Sequence, residues 1–234
     1  MVALEGQDVS GKNPLGRQLR LDLERPQRFE REAFVVSGSN RAAVEALDAW
    51  PEWLGSRLAI VGPEGVGKTH LLSDFAERTG AVLLNGVTAA LIDPVSLEGR
   101  PVVLDDAETV DDEILFHLIN MAERPGGSLL LASRTRPARW EVNLRDLRSR
   151  LNAIRVIEIE EPDDQVLRGV LESLFERRAI RPSPDLIEYL VKRIERSAAA
   201  ARDTVARIDE ASEGRPVTRA LARTLLDSEP DLFE

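Results

Sequence analysis

Short apolar runs alternate with longer segments of helical periodicity through the middle of the chain. The runs occupy 57–61, 81–84, 102–104, 128–132 and 154–159. Segments of about 68–78 and 111–123 carry apolar residues at helical spacing between them. Strands alternating with helices predict an α/β core with a parallel five-stranded sheet and crossover helices. Ahead of it, 40–50 predicts a short helix, with Ala43, Val44, Leu47 and Trp50 near one face and Ser39 or Asn40 as its cap. Residues 18–23, Gln-Leu-Arg-Leu-Asp-Leu, alternate polar and apolar. Residues 1–17 have no periodicity and read as a disordered arm.

After Glu161-Pro162 the pattern changes to helices only. One is predicted over about 163–179, with Val166, Leu167, Val170, Leu171, Leu174 and Phe175 on one face. A second starts at Ser183-Pro184, a cap followed by proline at the first helical position. A third covers about 197–212 and stops at Gly214; a fourth starts near Thr218. The expected organisation is an arm (1–30), an α/β core (31–160) and a small all-helical domain (161–234).

Composition narrows the function classes. The 234 residues are 43% hydrophobic and 31% charged, which suits a soluble globular protein. No apolar run approaches the roughly 20 residues of a membrane span, and the N-terminus lacks a signal-peptide pattern, so a cytoplasmic protein is expected. Cysteine is absent, which excludes thiolate chemistry, and two histidines make a His-rich metal site an unattractive reading. A net charge of −10 argues against sequence-independent DNA binding, and no direct specific DNA binding is expected.

One segment carries chemistry of its own. Residues 62–69 read Gly62-Pro63-Glu64-Gly65-Val66-Gly67-Lys68-Thr69, directly after an apolar run and ahead of a helix. This is the phosphate-binding loop pattern. Its glycines let backbone N–H groups converge on phosphate oxygens, and the helix that follows points its positive end at the same anion. Lys68 would neutralise the β- and γ-phosphates and Thr69 would hold Mg²⁺. The run 102–104 ends in Asp105 and Asp106, some 35 residues beyond the lysine. Asp105 would bind Mg²⁺ through water, and Asp106 would polarise an attacking water. ADP or ATP with Mg²⁺ is the expected cofactor.

On these residues the sequence resembles the DnaA branch of the AAA+ ATPases. Gly-Lys-Thr-His-Leu-Leu at 67–72 is similar to that branch's form of the loop, and His70 belongs to it. The segment from Phe34 and Val35 to Asn40 resembles the stretch that borders the adenine. Residues 129–137 resemble the sensor 1 strand, with Arg134 where the family has an acidic or amide residue, which an arginine cannot replace in orienting a water. The sensor 2 arginine falls on Ala199, with Arg196 and Arg202 three residues to either side as substitutes that could reach the phosphates. Leu-Arg-Ser-Arg-Leu at 147–151 resembles the arginine-finger segment and selects Arg150. If 146–151 is helical, Arg148 and Arg150 differ by about 200° and cannot do one job.

A core and lid of this kind, followed by the end of the sequence rather than a DNA-binding domain, resembles the Hda-type regulatory DnaA homologues. Those carry a short clamp-binding peptide ahead of the core, and 18–23 is similar to it. Such peptides insert a glutamine into a polar subsite and leucines into an apolar groove, so Gln18, Leu19, Leu21 and Leu23 would be the anchors. The resemblance implies a protein that docks on the DNA polymerase sliding clamp and presents Arg150 in trans to ATP held by DnaA, suppressing re-initiation of replication. The alternative is a stand-alone AAA+ ATPase such as a helicase-loading factor. Apolar arm residues could also pair two copies of the chain as a homodimer through edge strands.

Overall fold

A computed structural model describes residues 34–227. The peptide at 18–23, and the rest of the predicted arm, lie outside the described residues. Five strands form one sheet: β1 (Arg57–Val61), β2 (Val82–Leu84), β3 (Pro101–Leu104), β4 (Ser128–Ser133) and β5 (Arg155–Glu158). All pairings are parallel, in the order β2-β3-β4-β1-β5. Helices α1 (Arg41–Asp48) and α2 (Lys68–Thr79) belong to one face, and α4 (Asp112–Ala122) and α5 (Arg145–Asn152) to the other; a short α3 (Gly86–Ala89) follows β2.

Burial on both faces explains why the strands read as near-continuous apolar runs. Alternate residues divide between two cores. Leu58, Ile60, Val103, Leu130 and Ala132 pack with Leu47, Leu72 and Phe75. Ala59, Val102, Leu104, Leu129 and Leu131 pack with Leu115, Ile119, Leu147 and Leu151 on the other side. Trp53 stacks on Phe75 with ring centroids 5.2 Å apart, and Trp50 meets the same ring edge-on at 5.8 Å.

Four helices follow: α6 (Asp164–Arg177), α7 (Pro184–Val191), α8 (Ala198–Ser212) and α9 (Arg219–Asp227). They enclose a core of their own around Leu167, Leu171, Phe175, Leu190 and Val205. Three predicted ends differ in detail. The third of these helices is closed by Glu213 in the left-handed conformation (φ 49°), one residue before Gly214. Pro184 does stand at the first helical position, but the Ser183 side chain makes no cap bond to the helix and is drawn to the Asp185 carboxylate instead. Asn40 likewise precedes α1 without capping it; its amide reaches back to Ser37 N–H (2.9 Å) and the Val35 carbonyl (2.8 Å). Among the described residues no helix is long and apolar enough to cross a membrane.

The helical bundle is tied to the sheet near Asp163. Its carboxylate caps α6 by accepting the Val166 N–H at 2.9 Å and also takes hydrogen bonds from Ser37 and Ser39, ahead of α1. Val35 fills the notch at Gly169 of α6, where an added Cβ would sit 2.3 Å from its methyl group. Burial alone would raise the pKa of Asp163, but its donors outweigh that and hold it below the 3.8 of an ordinary aspartate. A depressed folded value stabilises the fold above the unfolded value and loses that contribution as pH falls through the folded one. Asp163→Ala is therefore expected to lower stability by about 1 kcal/mol at neutral pH, read by urea unfolding. The gap from wild type should narrow below pH 3.8.

Candidate functional site

The phosphate loop starts where β1 ends. Gly62 N–H donates to the Ser133 carbonyl at 3.2 Å, continuing the β1–β4 ladder by one step. A Cβ at Gly62 would lie 2.5 Å from the Ile159 carbonyl, so only glycine fits between the ends of the strands. Gly67 has φ +97° and leads directly into α2. Lys68, the first residue of α2, is 9% exposed; its Nζ donates to the carbonyls of Gly62 (2.8 Å) and Pro63 (2.7 Å). Burial lowers its proton affinity, against the opposing pull of Asp105, Glu108 and Asp106. A cation is thus held under a loop of backbone donors at a helix N-terminus, an arrangement suited to a polyphosphate.

The acids arrive from the end of β3. Thr69 Oγ1 donates to Asp105 Oδ2 at 2.7 Å, and Asp105 Oδ1 accepts the Asp106 N–H at 3.0 Å. A hydroxyl and a carboxylate at this distance are hard oxygen donors of the kind Mg²⁺ selects beside phosphates. Asp106 is exposed and left-handed (φ 48°), a conformation that aspartate tolerates better than most residues. Glu108 is a residue the sequence reading passed over. Its Oε1 accepts the Arg134 N–H at 2.8 Å, and its Oε2 is buried without a hydrogen-bond partner among the described residues. The signal for it was a third acid in Asp-Asp-Ala-Glu, three positions after Asp105 and so across one tight turn.

Phe34 and His70 flank the loop on the other side, with ring centroids 5.1 Å apart, and Phe34 lies against Gly67. With Val36, Val44, Leu47, Leu71 and Asp74 they line a small, largely apolar cleft. Val36 lines this cleft, while Val35, the residue selected from sequence, faces Gly169.

The arginines separate widely. Arg134 pairs with Glu64 of the loop at 2.9 Å. Ser133, just before it, is buried and its hydroxyl donates to the Thr135 carbonyl. Arg196 is engaged with Asp164 (2.6 Å) and the Pro162 carbonyl (3.2 Å), between sheet and bundle. Arg202 is exposed, one turn into α8. What meets the loop from the bundle is backbone: Ala198 N–H donates to the Gly65 carbonyl at 3.0 Å, and Ser197 packs so closely on Gly65 that a Cβ there would be 2.9 Å away. Arg150 stands elsewhere. Its Nη1 lies 3.4 Å from both Glu123 oxygens, and its guanidinium lies over Phe116 at 5.3 Å. Glu123 also pairs with Arg57 at 2.9 Å, at the start of β1. Arg150 therefore sits at the end of the sheet opposite the phosphate loop.

A parallel sheet ordered in this way, with the phosphate loop after its β1, acids after β3 and a helical bundle beside it, defines a P-loop fold of the AAA+ class. No protein-family model matches the chain. It is 26% identical over 226 residues to the chromosomal replication initiator protein DnaA of Thermomicrobium roseum, covering 83% of this chain and 48% of that protein. It is 30% identical over 172 residues to an uncharacterized protein of Haemophilus influenzae, covering 65% of this chain and 73% of that one. Domain III of Thermotoga maritima DnaA superposes with a TM-score of 0.70 at 20% identity, covering 85% of this chain and 95% of that one. A DnaA bound to AMPPCP and single-stranded DNA superposes with a TM-score of 0.63 at 20% identity, covering 76% and 63%. The chain is thus similar in sequence to DnaA proteins and shares the AAA+ fold of DnaA domain III. It spans about half the length of the curated DnaA relatives it matches.

Loss of a buried, charge-assisted donor at the phosphates tests the site directly. Lys68→Ala is expected to weaken Mg-ADP and Mg-ATP binding by about tenfold or more, measured by calorimetry, with the far-UV spectrum unchanged.

Proposed function

We propose that this chain is a regulatory inactivator of the replication initiator DnaA. It would bind ADP or ATP in the Gly62–Thr69 loop, dock on the sliding clamp through Gln18, Leu19, Leu21 and Leu23, and supply Arg150 to ATP held by DnaA. Thr69 and Asp105 would hold Mg²⁺, which when bound neutralises charge on the phosphates. Lys68 would ground the β- and γ-phosphates, and Phe34 and His70 would border the base.

The observation that carries this reading is the position of Arg150. It shares Glu123 with Arg57, at the start of β1, whereas the loop follows the end of that strand. Five residues of strand span about 17 Å, longer than an arginine side chain. At that distance Arg150 cannot reach a nucleotide in its own loop, which supports action on a nucleotide held by another molecule. Its side chain is 30% exposed and is held from two sides, by Glu123 and by the Phe116 ring. A guanidinium fixed in this way loses little freedom on meeting a phosphoryl group and can stabilise the charge that spreads over it in the transition state. The Arg134–Glu64 pair adds support. No group suited to orienting a water projects from position 134, so the chain's own hydrolysis would be weak.

A second reading, a self-contained ATPase such as a helicase-loading factor, draws on Asp105, Asp106 and Glu108 around Lys68. Brisk ATP turnover by the purified chain alone would favour it.

Two variants test the proposal. Arg150→Ala is expected to lower the stimulation of DnaA-bound ATP hydrolysis on clamp-loaded DNA by about 10³-fold, while nucleotide binding and clamp binding persist. Gln18→Ala should lose capture by immobilised clamp. An Arg150→Ala chain that stimulates fully would end the proposal.

A further inference from the structure

Glu64 is an acid inside a loop whose chemistry is the capture of anions. It is exposed (75% of its side chain) and its carboxylate meets Arg134 at 2.9 Å. Arg134 is anchored by its backbone, while its exposed side chain is held only by the Glu64 pair among the contacts described. It follows Ser133, the last residue of β4, whose carbonyl accepts the Gly62 N–H at 3.2 Å. Its own N–H is bound by Glu108 at 2.8 Å. Its Cα is therefore fixed beside the first glycine of the loop, while its guanidinium, 59% exposed, reaches across the loop to Glu64. Its positive field extends to Lys68 and adds to the lowering of that lysine's proton affinity.

We propose that Glu64 is an internal competitor for the terminal phosphate of a bound nucleotide and that Arg134 is the group competed for, so that the pair sets the preference between di- and triphosphate. This rests on the nucleotide-binding reading above and not on the clamp or DnaA. With a diphosphate in the loop, Arg134 stays on Glu64 and both charges are matched. A triphosphate brings a further dianionic group to the mouth of the loop. An exposed Glu–Arg pair contributes little, so the guanidinium can exchange from carboxylate to phosphate, where charge-assisted bonds are stronger. The exchange leaves Glu64 unmatched beside the new charge, which opposes triphosphate binding. The wild-type chain thereby favours the diphosphate more than a loop without the acid would.

The test is calorimetric titration with ADP and with the non-hydrolysable triphosphate AMPPCP, each with Mg²⁺. Glu64→Gln is expected to tighten AMPPCP about tenfold and to change ADP by less than about threefold. Arg134→Ala is expected to weaken AMPPCP by a similar factor with ADP again little changed. In the double variant the gain from Glu64→Gln should be lost, because the two side chains act on one phosphate. Both positions are exposed, and Arg134→Lys, which keeps the charge and the backbone bond to Glu108, should recover part of the AMPPCP affinity. Equal shifts for both nucleotides, or additive effects in the double variant, would overturn the proposal while leaving nucleotide binding intact. Binding of neither nucleotide by wild type would overturn the nucleotide-binding reading itself, and this proposal with it.

Discussion

β1 and β4 pair along their length, Arg57 with Leu129 through Val61 with Ser133, and the ladder continues one step to the bond from Gly62 N–H to the Ser133 carbonyl. That bond sets the phosphate loop at the point where the ends of β1, β4 and β5 converge. It brings Arg134 beside the loop, because Arg134 is the next residue after its acceptor. It also forces glycine at position 62, since the Ile159 carbonyl occupies the space of a Cβ. The arrangement of Lys68, Asp105, Glu108 and Arg134 follows from these strands being parallel and in register.

Parallel strands also give the sheet two chemically different ends. Asp105 and Asp106, Glu108 and the loop gather where the strands finish. Arg57, Glu123 and Arg150 gather where β1 starts. On the proposed function, a molecule built this way would hold a nucleotide at one end and offer an arginine to a neighbour at the other. The helical bundle is joined to the first end, through Asp163 and through the Ala198 bond to Gly65. The loop and the bundle are thus linked by a direct backbone contact.

The sheet was legible because its strands are buried on both faces and so appear as apolar runs. The β1 range coincides with its prediction, and the order of the five strands matches, while the short α3 and α5 were not predicted. The loop was legible because glycine, lysine and threonine at fixed spacing have few other uses. Side-chain commitments were not. Nothing in the sequence says that Arg196 turns to Asp164, that Val35 faces Gly169 while Val36 faces the cleft, or that Glu64 and Arg134 meet. Each of those depends on residues far apart in the chain brought together by the sheet. Glu108 was overlooked because its partner is a backbone N–H, which leaves no mark in a sequence. The α5 helix carrying Arg150 is short and half charged, so its periodicity was too weak to predict it outright.

The central claim is that this chain acts on a nucleotide that it does not itself hold. The direct measurement is a single-turnover experiment with two separately loaded proteins: DnaA carrying labelled ATP and this chain carrying unlabelled ATP, mixed on clamp-loaded DNA. The account predicts rapid conversion of the label to ADP while the chain's own ATP persists. Labelled ATP that survives on DnaA while the chain's own ATP is consumed would contradict it.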